Sequence, residues 1–190
     1  MLRVVDEHRV LTLDTVCVIY LADPSPTHIE AERSALECLL DAARTGHLSL
    51  QLTASYDRDL GRLQDSRIRG ARLRWLENAP VAPLRAAGVA RFDVSVYDGP
   101  DVLASDEEAD LDGTLRCLLI SDEVVERAIA DPTQGAKRFS DIDHLLAHRR
   151  SGAAAFVTID KKLDNTHRAA LADLGITVMR PTEAAAVYLP

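Results

Sequence analysis

Four aspartates are the residues of this chain whose type and spacing could do chemistry. Asp14 and Asp160 each follow a short apolar run. Asp141 stands at the start of a helical segment, and Asp59 lies within another. Because parallel strands present their carboxyl ends to one ligand crevice, we expect carboxylates at strand ends to meet there. The spacing therefore predicts an acidic cluster at one edge of an α/β sheet.

Such a cluster indicates metal-dependent chemistry on a phosphate. Carboxylates in one crevice repel each other unless a cation neutralises them. Mg²⁺ prefers oxygen ligands and binds through a few carboxylates together with substrate phosphate. Thr158 lies two residues before Asp160, so its hydroxyl could reach the same pocket. No Ser-His-Asp pattern, glycine-rich phosphate loop or HExxH motif occurs, which leaves covalent, NTPase and zincin mechanisms without support.

Each aspartate also has a structural interpretation. Asp14 could cap the helix that follows it, and Asp141 could be a first-turn residue stabilised by the helix dipole. Asp143 competes with Asp141, because side chains two residues apart on a helix do not share a face. At most one of the two points into the pocket. His144 shares the face of Asp141, and we expect it to pack or to support the site rather than to act as a base.

Apolar and polar periodicity predicts strands that alternate with helices, which is typical of a parallel α/β domain. The predicted strands cover about residues 9–13, 48–52, 89–96, 155–159 and 176–179. The predicted helices begin after Asp14 and after Ser25, cover about 54–78, the second half of 115–130, 140–152 and 164–174, and end with one from Pro181. Residues 97–113 are predicted to form a long polar loop.

Composition indicates a soluble globular protein. The chain has 190 residues, 47% of them hydrophobic and 27% charged, which fits one domain with a substantial core. No apolar run approaches the roughly 20 residues that span a bilayer, so we expect no membrane association and a cytoplasmic location. Cys17, Cys38 and Cys117 lack zinc-site spacing and are expected to be buried, reduced thiols.

The charge pattern bears on the kind of partner. A net charge of −8 argues against bulk attraction to nucleic acid. However, six arginines crowd residues 58–74, and two lysines follow Asp160 directly. A locally basic rim around an acidic pocket is therefore compatible with the net charge.

These motifs together resemble the PIN-domain family of metal-dependent nucleases, which includes the VapC-type toxin ribonucleases. The resemblance is carried by LDT at 13–15 with IYL at 19–21, DIDHLLA at 141–147, GAAAFVTIDKK at 152–162 and LGITVMRPTE at 174–183. It covers most of the chain, best at residues 9–60 and 136–190. The chain is longer than compact toxin members, mainly through residues 80–135.

The resemblance implies a three-layer α/β/α domain with a parallel sheet of about five strands. It implies that Asp14, Asp141 and Asp160 are catalytic residues that hold Mg²⁺ or Mn²⁺, and that Thr158 is a catalytic residue that positions the attacking water or a phosphate. The family usually has a glutamate in a Glu-Leu pair as the fourth acid. Here Asp59, followed by Leu60, best occupies that place. Asp57 is the alternative, and it is equally an aspartate where the family has glutamate.

The resemblance also implies an activity and its partners. We expect residues 1–190 to form a single PIN-like domain, with an elaboration atypical of the family at about 80–135. The expected activity is hydrolysis of RNA phosphodiester bonds. An antitoxin-like protein and a second copy of the chain are the protein partners that the family suggests.

Two alternatives remain. The chain could be a degenerate PIN-like module that binds RNA or protein without catalysis, because the usual glutamate is absent and the net charge is acidic. A haloacid-dehalogenase-like phosphatase also places an aspartate after its first strand. It needs a second aspartate two residues later, where this chain has Val16.

Overall fold

Short apolar segments form a sheet of five parallel strands. The computed structural model describes residues 9–22, 29–53, 56, 65–83, 105–121, 123, 126 and 139–189. Within them, the strands are β1 Val10–Leu13, β2 Ser49–Leu52, β3 Val81–Pro83, β4 Ala155–Val157 and β5 Val178–Met179. They lie in the order β3-β2-β1-β4-β5 and pair in parallel throughout.

Helices cover both faces of this sheet. The α-helices are α1 Thr15–Ala22, α2 Glu30–Arg44, α3 Ser66–Asn78, α4 Asp106–Leu119, α5 Ser140–Ser151, α6 Arg168–Asp173 and α7 Pro181–Tyr188. A π-helix, Lys162–Thr166, precedes α6. Among the described residues, no helix has both the length and the apolar character that crossing a membrane requires.

Two apolar clusters show how the layers are divided. Alternate strand residues such as Leu11 and Val157 pack with α1, α2 and the buried Ala184 of α7. Phe156, which points to the opposite face, packs with Leu145 and its neighbours on α5 and with apolar residues of α4. The sheet is therefore the middle layer, and the predicted α/β fold with five parallel strands is confirmed.

The third strand is where sequence reasoning and structure differ most. Residues 81–83 form β3, whereas the predicted strand at 89–96 lies outside the described residues. In the sequence, the prolines at 80 and 83 indicate the end of the preceding helix, and no strand is predicted between them. Among the described strands, β3 pairs with β2 alone and lies at an edge of the sheet. Proline is tolerated at an edge because a missing N–H that would face solvent breaks no hydrogen bond between strands.

The predicted loop at 97–113 is wrong in its second part, because helix α4 begins at Asp106. Ser105 and Glu108 form a capping box: the Ser105 side chain accepts from the Glu108 amide at 3.3 Å, and the Glu108 carboxylate accepts from the Ser105 amide at 2.9 Å. The acidic residues that suggested a loop instead lie in the first turn of the helix, where they interact favourably with the positive end of the helix dipole. Residues 97–104 lie outside the described part.

The thiols also differ from expectation in part. Cys17 is buried, as predicted, but Cys38 and Cys117 are exposed. Both lie on the outer sides of amphipathic helices, α2 and α4, where the apolar neighbours in the sequence face inward instead. All three cysteines are free.

Candidate functional site

The candidate site lies where the strand order reverses. From β1 the chain proceeds to β2 and β3 on one side, and it later adds β4 and β5 on the other. The carboxyl ends of β1 and β4 are adjacent, because Leu13 is in register with Val157. Ligands of open α/β sheets bind outside the strand ends at such a point. Asp14 follows β1 there, and its amide donates to the carbonyl of Val157 at 2.9 Å.

A chain of hydrogen bonds joins the two strand-end acids. Thr158 Oγ1 donates to Asp14 Oδ2 at 2.5 Å, and it accepts from the Asp160 amide at 2.9 Å. Asp14 is 8% exposed and Thr158 is fully buried. A hydroxyl has only one proton to donate, and here that proton points at a carboxylate. Thr158 thus holds Asp14 in this structure, and the catalytic role expected for it stays a prediction.

Asp160 also has a structural task. Its Oδ1 accepts from the amide of Lys162, the first residue of the π-helix, at 2.6 Å, and this local hydrogen bond is what capping means here for Asp160. The side chain is half-buried. A carboxylate offers about four acceptor positions on two oxygens, so capping leaves capacity for another ligand. Cap and metal ligand are therefore compatible at Asp160.

Asp141 stands opposite these acids, in the first turn of α5. Asp141 is exposed at the protein surface, yet neighbouring protein atoms displace part of the water that would hydrate its carboxylate. Loss of hydration is the largest cause that raises the pKa of Asp141, and the charges of Asp14 and Asp160 add to it. Together they bring this pKa to about 6. Asp143, two residues on, is 1% exposed. Asp141 is thus the member of the pair that combines solvent access with the charge of the other acids.

Burial likewise raises the pKa of Asp14, and the charge of Asp160 adds to the effect. His144 and the hydrogen bond from Thr158 act in the opposite direction. Asp160 therefore lies close enough to Asp14 and to Asp141 for its charge to disfavour their charged forms. The structure places these three predicted residues within electrostatic range of one another, and their role in a metal site stays a prediction. Asp59 and its alternative Asp57 lie outside the described residues.

Beneath the acids lies a buried histidine that sequence reasoning treated only as a supporting residue. His144 Nε2 lies 3.1 Å from Thr15 Oγ1, and Nδ1 is hydrogen-bonded to Thr53 Oγ1. Sequence reasoning missed Thr53 altogether. The available signal was weak: a polar residue directly after β2, at the same sheet edge as the residue after β1.

The donor set fits a hard divalent cation in chemistry. Mg²⁺ or Mn²⁺ would bind carboxylate oxygens and would favour the charged forms of Asp14 and Asp141, whose pKa values are raised in the metal-free protein. In the part of the chain that the structure describes, no three His, Cys, Asp or Glu side chains are close enough together to hold a metal ion. Mg²⁺ commonly binds through one or two carboxylates and retains several waters, so the described acids suit such a site without forming a closed cage.

One lysine lies near the acids, and a separate helix carries exposed basic residues. Lys162 Nζ donates to the carbonyl of Leu119, at the end of α4, at 2.8 Å. Its charge lowers the pKa of Asp141, which places the ammonium group within electrostatic range of the site. Helix α3 carries four of the arginines of the 58–74 stretch: Arg67, Arg69, Arg72 and Arg74. No residue of α3 is buried, so these side chains are accessible to a ligand.

Comparison with known proteins gives a structural similarity alone. No protein-family model matches the sequence, and no curated protein matches it. The structure is similar to the crystal structure of VapBC2 from Rickettsia felis bound to a promoter DNA fragment. The TM-score is 0.43 at 11% sequence identity, over 90% of this chain and 98% of that chain. A similarity of this degree concerns the backbone arrangement and says nothing about activity.

Proposed function

We propose that the protein is a PIN-like, metal-dependent ribonuclease that hydrolyses RNA phosphodiester bonds. The observation that supports this proposal is that Asp14, Asp141 and Asp160 lie within electrostatic range of one another near the switch point of the sheet. Among the described residues, no lysine or arginine forms an ion pair with any of the three. Acids held together without a fixed counter-charge suit a cation from solution.

In this proposal Asp14, Asp141 and Asp160 would hold Mg²⁺ or Mn²⁺, directly or through water, with Asp59 as the fourth ligand. When bound, the cation polarises a phosphoryl oxygen and lowers the pKa of a water molecule. Thr158 fixes the Asp14 carboxylate through its hydrogen bond. The exposed arginines of α3 supply contacts to the phosphate backbone, which give affinity without reading sequence.

The test is cleavage of a fluorescent single-stranded oligoribonucleotide. We expect cleavage with Mg²⁺ or Mn²⁺, none with EDTA, and a loss of at least about 100-fold in Asp14→Asn, since metal-ion catalysis contributes several kcal/mol. The matched control is Asp41→Asn on α2, because Asp41 is an exposed acid that pairs with Arg44. Equal activity of Asp14→Asn and Asp41→Asn would contradict the proposal. A deoxyribonucleotide of the same sequence separates RNA from DNA as substrate.

A second candidate is a PIN-like module that binds RNA or protein without catalysis. It is favoured by the absence, among the described residues, of three side chains that could enclose a metal ion. The same assay discriminates. Binding of the oligonucleotide that persists in EDTA, with no cleavage at any Mn²⁺ concentration, would favour the module.

The other expectations from the sequence, on domain organisation, partners and location, are also proposals. A single domain over residues 1–190 with an elaboration at 80–135, an antitoxin-like partner, a homodimer and a cytoplasmic location all follow from the sequence and its resemblance. Light scattering of the purified chain tests the homodimer. Co-expression with the product of an adjacent gene tests the antitoxin-like partner.

A further inference from the structure

The imidazole of His144 bridges two threonines in the interior. Its Nε2 lies 3.1 Å from Thr15 Oγ1, and its Nδ1 is hydrogen-bonded to Thr53 Oγ1. The side chain of His144 is 3% exposed, and that of Thr53 is likewise 3% exposed. In a neutral imidazole one nitrogen donates and the other accepts, and a threonine hydroxyl can do either. Both ring nitrogens are thus engaged, and the ring is oriented from two sides.

The segments that His144 joins are those that carry the acids. Thr15 follows Asp14 directly, and Thr53 follows the last residue of β2. His144 lies three residues after Asp141, on the same face of α5. Movement of α5 along the sheet would therefore shift Asp141 relative to Asp14 and would break both hydrogen bonds.

An apolar residue would fill this space without fixing the register. Leu145 and Leu146, the next residues on α5, pack into the apolar cluster of that face. Such packing is not directional, whereas hydrogen bonds require particular distances and angles. A histidine at this position costs desolvation, and it supplies a geometric constraint that leucine lacks.

We propose that His144 is a positioning residue of the carboxylate site. Its bonds to Thr15 and Thr53 hold α5 against the carboxyl ends of β1 and β2, and so set the separation of Asp141 and Asp14 at which they share one divalent cation. The inference rests on the proposed function in so far as a cation binds there. It predicts that loss of either hydrogen bond raises the Mn²⁺ dissociation constant beyond what a comparable loss of stability elsewhere on α5 does.

The same helix provides a matched control. His148 lies one turn later on α5, is 2% exposed, and has its Nδ1 2.9 Å from Thr12 Oγ1 in the middle of β1. It therefore shares with His144 the helix, the burial and the threonine partner. It is farther along the helix from Asp141, so its replacement disturbs packing without releasing the acid-bearing end.

The experiment measures Mn²⁺ affinity by calorimetry and the melting temperature of the full chain for wild type, His144→Leu and His148→Leu. We expect both variants to melt at lower temperature. We expect the Mn²⁺ dissociation constant of His144→Leu to exceed that of His148→Leu by about tenfold, the lower end of the effect of residues that orient metal ligands. Equal dissociation constants in the two variants would overturn the inference.

A second pair covers the case in which His144→Leu fails to fold. Thr53→Val removes one partner of the imidazole, and Thr53→Ser keeps the hydroxyl. We expect Thr53→Val to weaken Mn²⁺ binding, Thr53→Ser to restore it, and saturating Mn²⁺ to return the cleavage rate of Thr53→Val toward wild type. Similar affinities of the valine and serine variants would contradict the role.

The outcomes also separate this inference from the proposed activity. If wild type binds Mn²⁺ and cleaves RNA while His144→Leu behaves like His148→Leu, the inference fails and the activity stands. If wild type binds Mn²⁺ with the expected dependence on His144 but cleaves nothing, the activity fails and the inference stands. If wild type binds no Mn²⁺, both fail.

Discussion

Two groups of acidic side chains in this protein are treated in opposite ways. In the ion-pair group, Asp164 is 5% exposed, yet Arg168 and Arg180 each approach one of its oxygens at 2.5 Å. In the carboxylate site, Asp14 is 8% exposed and is held by a neutral hydroxyl. Burial of the two carboxylates is nearly equal, and within the described part of the chain arginine counter-charges are found at the first group and not at the second.

The contrast shows that a buried acid of this protein can be paired with arginines, as Asp164 is. The ion-pair group extends through Glu183 and Glu32, so it ties α2, the π-helix, α6 and α7 together. At the strand ends, burial and the charges of neighbouring acids instead raise the pKa values of Asp14 and Asp141. A group whose charge is balanced within the chain is structural, whereas one left to repel itself suits a ligand from outside.

The largest effect that would sharpen this comparison is expected at the ion-pair group. Asp164→Asn leaves Arg168 and Arg180 without the charge they share, and we expect a loss of about 2 kcal/mol in the free energy of unfolding. This estimate lies below the range for fully buried pairs because both arginines are about one-third exposed. Urea denaturation measures it.

Asp41→Asn is the control for that measurement. Its pair with Arg44 is mostly exposed, so we expect a change of less than about 0.5 kcal/mol. A loss in Asp164→Asn no larger than in this control would remove the distinction between a structural acid group and the carboxylate site.

The next effect concerns pH and Asp141. A cation competes with a proton for this carboxylate, whose pKa is about 6. We expect the apparent Mn²⁺ affinity to fall by up to about tenfold per pH unit below 6, and to vary less above it. Calorimetry between pH 5 and pH 8 checks this dependence, and a flat profile would contradict it.

The metal-free protein should show the corresponding change in stability. The pKa of Asp141 is raised from its ordinary value of 3.8 to about 6, so its contribution to stability falls as pH rises through that window. His148 acts in the opposite sense, because burial lowers its pKa from 6.5 to about 4. The quantity to measure is therefore the difference between wild type and Asp141→Asn at each pH, which cancels the contribution of His148.

A smaller effect of opposite sign to that at Asp164 is expected at Asp14. Burial raises the pKa of this carboxyl, so at neutral pH its charge opposes folding. We expect Asp14→Asn to raise the unfolding free energy in EDTA by about 1 kcal/mol, a fraction of the several kcal/mol that burying one ion costs. We expect Mn²⁺ to stabilise wild type and not the variant. A destabilised Asp14→Asn in EDTA would break the comparison.

The smallest effect is expected at the hydroxyl that holds Asp14. Thr158→Val removes the 2.5 Å hydrogen bond to the carboxylate, whereas Thr158→Ser retains it. We expect the valine variant to bind Mn²⁺ about threefold more weakly than the serine variant, in keeping with the modest net contribution of one hydrogen bond. No difference between the two variants would indicate that Asp14 is positioned by other contacts.

Much of the site was predictable because strand ends are local features. The apolar runs before Asp14 and before Asp160 locate β1 and β4 from a few neighbouring residues, and glycine at 152 ends α5 with a φ of 67°. The acidic first turn of α4 was misread. The charged residues there suggested a solvent-exposed loop. They stabilise the start of a helix instead, because Glu108 forms a capping box with Ser105.

The sequence by itself determined the class of the fold and pointed to three acids that the structure places within electrostatic range of one another. Alternating strand and helix signals and strand-end aspartates are properties of short segments. Only the tertiary structure decided which strand lies at the β2 edge, which acids are paired with arginine, and that His144 bridges Thr15 and Thr53. Those contacts join residues 91 and 129 positions apart. Their existence depends on how helices and strands pack in space, which local periodicity does not encode.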